Sequence, residues 1–218
     1  MRAVADTVGQ KYPRIDVLVN NAGLIAGSQR TVTADGHELT FQVNHLAPVL
    51  LTMLLREQLT AAHASVITTS SRAGASRGAR VDSDDLDMAA GYSGMRAYGS
   101  SKLANVLFTR ELARRWGPLG VSAAALHPGV VATQWGKSGP GVVAWFVTSP
   151  FRRFLRSPEQ GADTIVWLAT TTSGEQWTSG GYYANRKPAK PSPLAGDAQL
   201  AGRLWDQSAA MCGLNSLT

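Results

Sequence analysis

The chain has 218 residues, 44% of them hydrophobic and 17% charged, a balance that predicts one folded domain over residues 1–218 and excludes a disordered or fibrous chain. Its net charge is +6 and its pI about 9.8. The basic residues are scattered, however, with short clusters only at Arg114-Arg115 and at Arg152, Arg153 and Arg156, so nucleic acid is not an expected partner. No apolar run is long enough to cross a bilayer, the opening residues lack a secretion signal's apolar core, and Cys212, the single cysteine, excludes an internal disulfide; a cytoplasmic protein is expected.

Residues 1–12 predict a short amphipathic helix ending near Pro13. Ile15 to Gly23 ("IDVLVNNAG") is an apolar run closed by a polar, glycine-containing turn, the pattern of a strand buried on both faces. A helix is expected from about Glu38 to Leu59. Ser65 to Ser71 ("SVITTSS") is rich in β-branched residues and reads as a second strand. The long connection from Arg72 to Met95 is polar and contains several glycines; loops of that length tend to serve function. A helix from about Met95 to Trp116 follows, with Leu103, Val106, Leu107 and Leu112 on its core side.

Within that helix, Tyr98 and Lys102 stand one turn apart on the same side. Solvation of a half-exposed face accounts for such a pair, and so does acid-base chemistry, because a nearby ammonium favours the phenolate. Val121 to Gly129 ("VSAAALHPG") predicts a third strand ending in a Pro-Gly turn. Residues 136–155 mix Val142, Val143, Trp145, Phe146, Phe151 and Phe154 with arginines, the composition either of a core helix or of a lid over an apolar substrate that touches a membrane surface. A helix is expected from about Pro158 to Thr170, a short strand at "GGYYAN", and a last helix from about Asp197 to Cys212. Strands alternating with helices predict a parallel sheet, whose ligands bind outside the carboxyl ends of the strands. Those ends are "NNAG", "TSS" and "HPG".

The motifs "LVNNAG" (Leu18 to Gly23), "VNHLAPVLLT" (Val43 to Thr52), "ITTSSRAG" (Ile67 to Gly74), "YGSSK" (Tyr98 to Lys102) and "HPGVVAT" (His127 to Thr133) occur in this order. Together they resemble the short-chain dehydrogenases/reductases, and "SKLANVLFTREL" resembles the retinol-dehydrogenase-like branch. The resemblance implies an α/β, Rossmann-like parallel sheet with helices on both faces. It also implies that the chain lacks the family's first three strands and its glycine-rich turn, which would make it an N-terminally truncated form. Hydride transfer between NADP or NAD and an alcohol or carbonyl substrate is the implied activity, and the branch leans to NADP.

The resemblance assigns residues to roles. Tyr98 would be the acid/base, its pKa lowered by roughly 2 to 3 units by Lys102. Lys102, with Tyr98 beside it, would also bind the nicotinamide ribose. Ser71 would hold the substrate oxygen toward Tyr98, with Ser70 as the adjacent alternative. Asn44 would hold a water that passes protons to Lys102. Asn20, Asn21, Ala22 and Gly23 would pass beside the adenosine half of the cofactor, although Asn21 also suits a tie between strands. Pro128, Gly129, Val131 and Thr133 would line the nicotinamide pocket, and His127 reads as structural. His37, His45 and His63 lack metal-ligand spacing, so no metal is expected. A small-molecule alcohol or carbonyl substrate of apolar character is the expected partner, with pairing into a homodimer by the family's helix pair. The competing expectation is a catalytically inactive fragment, or interaction module, of the same fold, whose "VLV" strand (Val17 to Val19) is an exposed apolar edge.

Overall fold

The computed structural model describes residues 1–131 and 156–214. Four strands lie side by side in chain order: Val17–Asn20 (β1), Ser65–Thr69 (β2), Ser122–Leu126 (β3) and Gly181–Ala184 (β4). All four are parallel, and the two-residue Lys187–Pro188 (β5) returns antiparallel onto β4. The β4–β5 hairpin turns on Asn185 and Arg186, both with positive φ (53° and 57°), the pairing that a two-residue primed turn requires.

The first helix, Arg2–Lys11 (α1), stops at Tyr12, which is extended because the residue before a proline disfavours the helical region. The single helix expected from Glu38 to Leu59 is instead a series of segments: Leu39–Phe41 (α2), a π-helical turn at Gln42–Leu46, Ala47–Leu54 (α3) and Arg56–Ala62 (α4). Glu38 starts the series, its carboxylate accepting from the Thr40 and Phe41 amides at 2.9 and 2.7 Å. His63, left-handed at φ 51°, ends it. Gly94–Trp116 (α5) runs the length of the sheet. Pro158–Thr170 (α6) begins at a capping box of Ser157 and Gln160, and Ala198–Met211 (α7) at Asp197, which accepts from the Leu200 amide at 2.9 Å.

The pleat sends Val66 and Ala123 to one face of the sheet, into a core with Phe108, Leu112, Trp116 and Trp205 from α5 and α7. It sends Ile67, Ala124 and Leu126 to the other face, against Leu168 of α6. Helices therefore cover both faces, as expected of a parallel sheet. The alanines of β3 are fully buried and let α5 and α6 approach the sheet closely.

Two expectations need correction. β1 is not buried on both faces: Val19 is 39% exposed, and the outer edge of β1 pairs with no strand among the described residues. α5 is not a half-exposed amphipathic helix either. From Ala97 to Leu112 only Tyr98 and Arg110 fall short of full burial, because β2 and β3 press on one side of it and α2, α7 and the π-turn on the others.

Candidate active site

β2 ends at Thr69, and the chain beyond it is fastened to α5. The Thr69 carbonyl accepts from Lys102 Nζ at 3.0 Å, and Ser70 Oγ donates back to the Lys102 carbonyl at 2.6 Å. Strand alternation then turns the next hydroxyl the other way. Ser71 caps the 3-10 turn Arg72–Ala75, accepting from the Ala73 amide at 3.2 Å, and its hydroxyl draws the pKa of the neighbouring Tyr98 phenol down. Of the two adjacent serines, Ser71 is the one that meets the phenol. Gly74 makes this approach possible, since a Cβ there would sit 2.9 Å from the Leu103 nitrogen and 3.0 Å from the Lys102 carbonyl carbon.

Lys102 Nζ lies 5.8 Å from the centre of the Tyr98 ring. Lys102 is 3% exposed, and burial lowers its pKa to about 8. Burial pushes the Tyr98 phenol up, with the Ser71 hydrogen bond pulling the other way. The expectation that Lys102 lowers the phenol's pKa is therefore corrected for the protein alone. Desolvation dominates at both groups, and the ammonium reaches the Thr69 carbonyl rather than the phenol oxygen.

The turn after β1 completes the floor. Asn44, fully buried in the π-turn, accepts from the Leu24 amide at 2.7 Å. Its Nδ2 donates to the Leu24 carbonyl at 2.8 Å and to Ser101 Oγ at 3.1 Å. A Cβ at Gly23 would lie 3.0 Å from Asn44 Oδ1 and 3.2 Å from Lys102 Nζ, so Gly23, Asn44 and Lys102 meet at one point. Asn20 and Asn21 serve as ties. Asn20 Nδ2 donates to Thr52 Oγ1 at 3.1 Å, and Asn21 Oδ1 accepts from Thr69 Oγ1 at 3.0 Å, while Ala22 is exposed.

Beyond β3, the Pro128 carbonyl accepts from Arg156 Nη1 at 3.2 Å. Gly129 has φ 83°, and the same arginine covers it; Val131 bridges Arg156. Thr133 and the 136–155 segment lie outside the described residues. His127 donates its amide to the Tyr183 carbonyl and packs on Tyr182, whose hydroxyl donates to the Ser71 carbonyl at 3.3 Å. The sequence motifs give Tyr182 and Asn105 no role and set His45 aside only as a metal ligand. One signal was available, namely that Pro48 stands four residues after Asn44 and so removes a helical donor. A cavity of about 210 Å³ beside Phe41, Leu86, Ala97 and Ser100 lies on the side of α5 away from Tyr98 and Lys102. Among the described residues no cluster of His, Cys, Asp or Glu could hold a metal, and no helix is long and apolar enough to cross a membrane.

The chain as a whole has counterparts in known proteins. A family model described as enoyl-(acyl carrier protein) reductase matches residues 1–180. The chain is 45% identical to the provisionally named daunorubicin C-13 ketoreductase DnrU of a Streptomyces strain, over 98% of this chain and 70% of that one. It is 38% identical to human retinol dehydrogenase 14, over 98% of this chain and 63% of that one.

The chain belongs to the short-chain dehydrogenase/reductase family.

It is retinol-dehydrogenase-like within that family of nicotinamide-dependent oxidoreductases, and it spans about two thirds of the length of these relatives. A solved structure of an uncharacterized protein from Mycobacterium paratuberculosis is 30% identical. It superimposes with a TM-score of 0.73 over 98% of this chain and 71% of that one. The sheet order and the helices on both faces are thus the family fold.

Proposed function

We propose that the protein is an NAD(P)-dependent oxidoreductase acting on an apolar alcohol or carbonyl compound. The observation that carries the reading is the Ser71–Tyr98 hydroxyl pair standing beside the buried ammonium of Lys102. The residues suit a nicotinamide cofactor. Lys102 has three donors and, among the described residues, spends one of them on the Thr69 carbonyl, which leaves two for ribose hydroxyls. Gly23 keeps the space above Asn44 and Lys102 clear for close approach. Asn20, Asn21, Ala22 and Gly23 would flank the adenosine half, and Pro128, Gly129, Val131 and Thr133 the nicotinamide. When bound, the cofactor supplies or accepts the hydride.

The rest of the work falls to the chain. Ser71 holds the substrate oxygen against Tyr98, and Tyr98 donates the proton to that oxygen during reduction or takes it during oxidation. Lys102 stabilises the phenolate that results, and at a pKa near 8 it can itself exchange a proton with water near neutral pH. Asn44 keeps one acceptor lone pair on Oδ1 beside Lys102 for a relaying water, its other side-chain positions being taken. The relatives named for retinol and for a daunorubicin ketone support a large apolar substrate.

The reading is tested by titrating the chain with NADPH and NADH and assaying aldehydes and ketones of graded size. Tyr98→Phe should lower kcat by 10²-fold or more while cofactor affinity changes less than threefold. Undiminished turnover would overturn the role of Tyr98. A second reading, an interaction module without turnover, is favoured by the open edge of β1; absence of any NADPH or NADH binding would select it.

A further inference from the structure

Asn44 owes its position to a gap in its own helix. Pro48, four residues on, has no N–H to return to the Asn44 carbonyl, and the chain widens into the π-turn Gln42–Leu46 just ahead of it. Asn105, on α5 and three residues beyond Lys102, supplies a donor instead. Its Nδ2 donates to the Asn44 carbonyl at 2.9 Å and lies 3.4 Å from the Thr69 carbonyl, the oxygen that also receives Lys102 Nζ.

Two carbonyls facing one amide fix its orientation: the nitrogen points at them, so Oδ1 accepts. Oδ1 faces His45 Nδ1 at 3.1 Å, which must therefore carry the ring proton. His45 Nε2 is then bare and accepts from Ser208 Oγ of α7 at 2.9 Å. Burial holds His45 neutral, with a pKa lowered to about 4, in keeping with a single ring proton. Asn44, His45, Asn105 and Ser208 are all buried, so each polar atom depends on the next.

We infer that Asn105 is a positioning residue for this active site, held in place by His45 and Ser208 and setting the Asn44 carbonyl so that the Asn44 side chain stays locked on Leu24 beside Lys102. Asn105 acts through Asn44 and Thr69, and its kinetic consequence rests on the oxidoreductase reading above. If the amide merely satisfied a buried carbonyl, any donor would replace it. A backbone N–H at position 48 would satisfy that oxygen too, but it would draw the carbonyl along the helix axis and turn the Asn44 side chain with it.

The Leu24 amide, which donates to Asn44 Oδ1, reports the position of Asn44 without any need for turnover. Its hydrogen exchange is measured by NMR relative to Ile67 in the sheet, alongside Tm, in the full chain, in Asn105→Leu and in Pro48→Ala/Asn105→Leu. Asn105→Leu should lower Tm and speed Leu24 exchange at least tenfold. The double variant should regain Tm while Leu24 exchange stays fast. Unchanged Leu24 protection in Asn105→Leu, or its recovery together with Tm in the double variant, overturns the inference. Wherever the wild-type chain turns over, both variants should lose at least tenfold in kcat with KM within twofold. A wild-type chain without turnover sinks the oxidoreductase reading and leaves the exchange measurement to decide this one.

Discussion

At the residue scale, the site is governed by desolvation. Lys102 is enclosed by helix and sheet, so its ammonium is held against the cost of burial, and its pKa falls from 10.5 to about 8. Below pH 8 the folded and unfolded chains both carry the proton and the penalty is complete. Between about 8 and 10.5 the unfolded chain binds the proton that the folded chain has lost, so this group makes stability rise with pH across that window. Lys102→Met removes the buried charge, and Asn105 remains within reach of the Thr69 carbonyl. The variant should be inactive yet more stable than the parent at pH 7, by up to about 3 kcal/mol, with the difference shrinking toward pH 10. Urea denaturation at both pH values measures it, and parallel pH dependences for the two proteins would refute the assignment. On the proposed reading, the site holds a destabilising group for the sake of chemistry.

At the element scale, the active site is a set of close approaches between backbones. The 3-10 turn that carries Ser71 lies against α5 because Gly74 has no Cβ to meet the Leu103 nitrogen. Gly74→Ala should push that turn outward and separate Ser71 from Tyr98. A cost of about 1–3 kcal/mol in stability is expected from the overpacking, with kcat falling at least tenfold. Kinetics and thermal unfolding measured on one preparation would show both effects, and a stability loss with unchanged kcat would show that the hydroxyl pair tolerates the shift. The segmented helix between Glu38 and Ala62 follows the same logic. A uniform helix would aim Asn44 elsewhere, whereas the π-turn places it beside Gly23 and Lys102.

At the scale of the whole molecule, the β4–β5 hairpin flanks the sheet on one side, and among the described residues no strand pairs with the outer edge of β1 on the other. Val19 is exposed there, and an unpaired apolar edge invites another strand. Val19→Lys should reduce concentration-dependent association in sedimentation velocity while leaving Tm within about 2 °C, since exposed substitutions cost little. A mass distribution that ignores the substitution would move self-association away from β1.

The sequence by itself determined the order of elements, because helical and apolar patterns are local, and the resemblance of its motifs to the family singled out Ser71, Tyr98, Lys102 and Asn44. It determined α6 almost to the residue, since Ser157, Pro158 and Gln160 spell its start. Tertiary structure alone decided the rest. Burial depends on what packs from a distance, so the rise of the Tyr98 pKa and the fall of the Lys102 pKa were beyond any local pattern. The bond between Asn105 and Asn44, and the chain onward through His45 to Ser208, joins residues up to 163 positions apart. Only folding brings those donors and acceptors together, and only their removal from water makes each of them necessary.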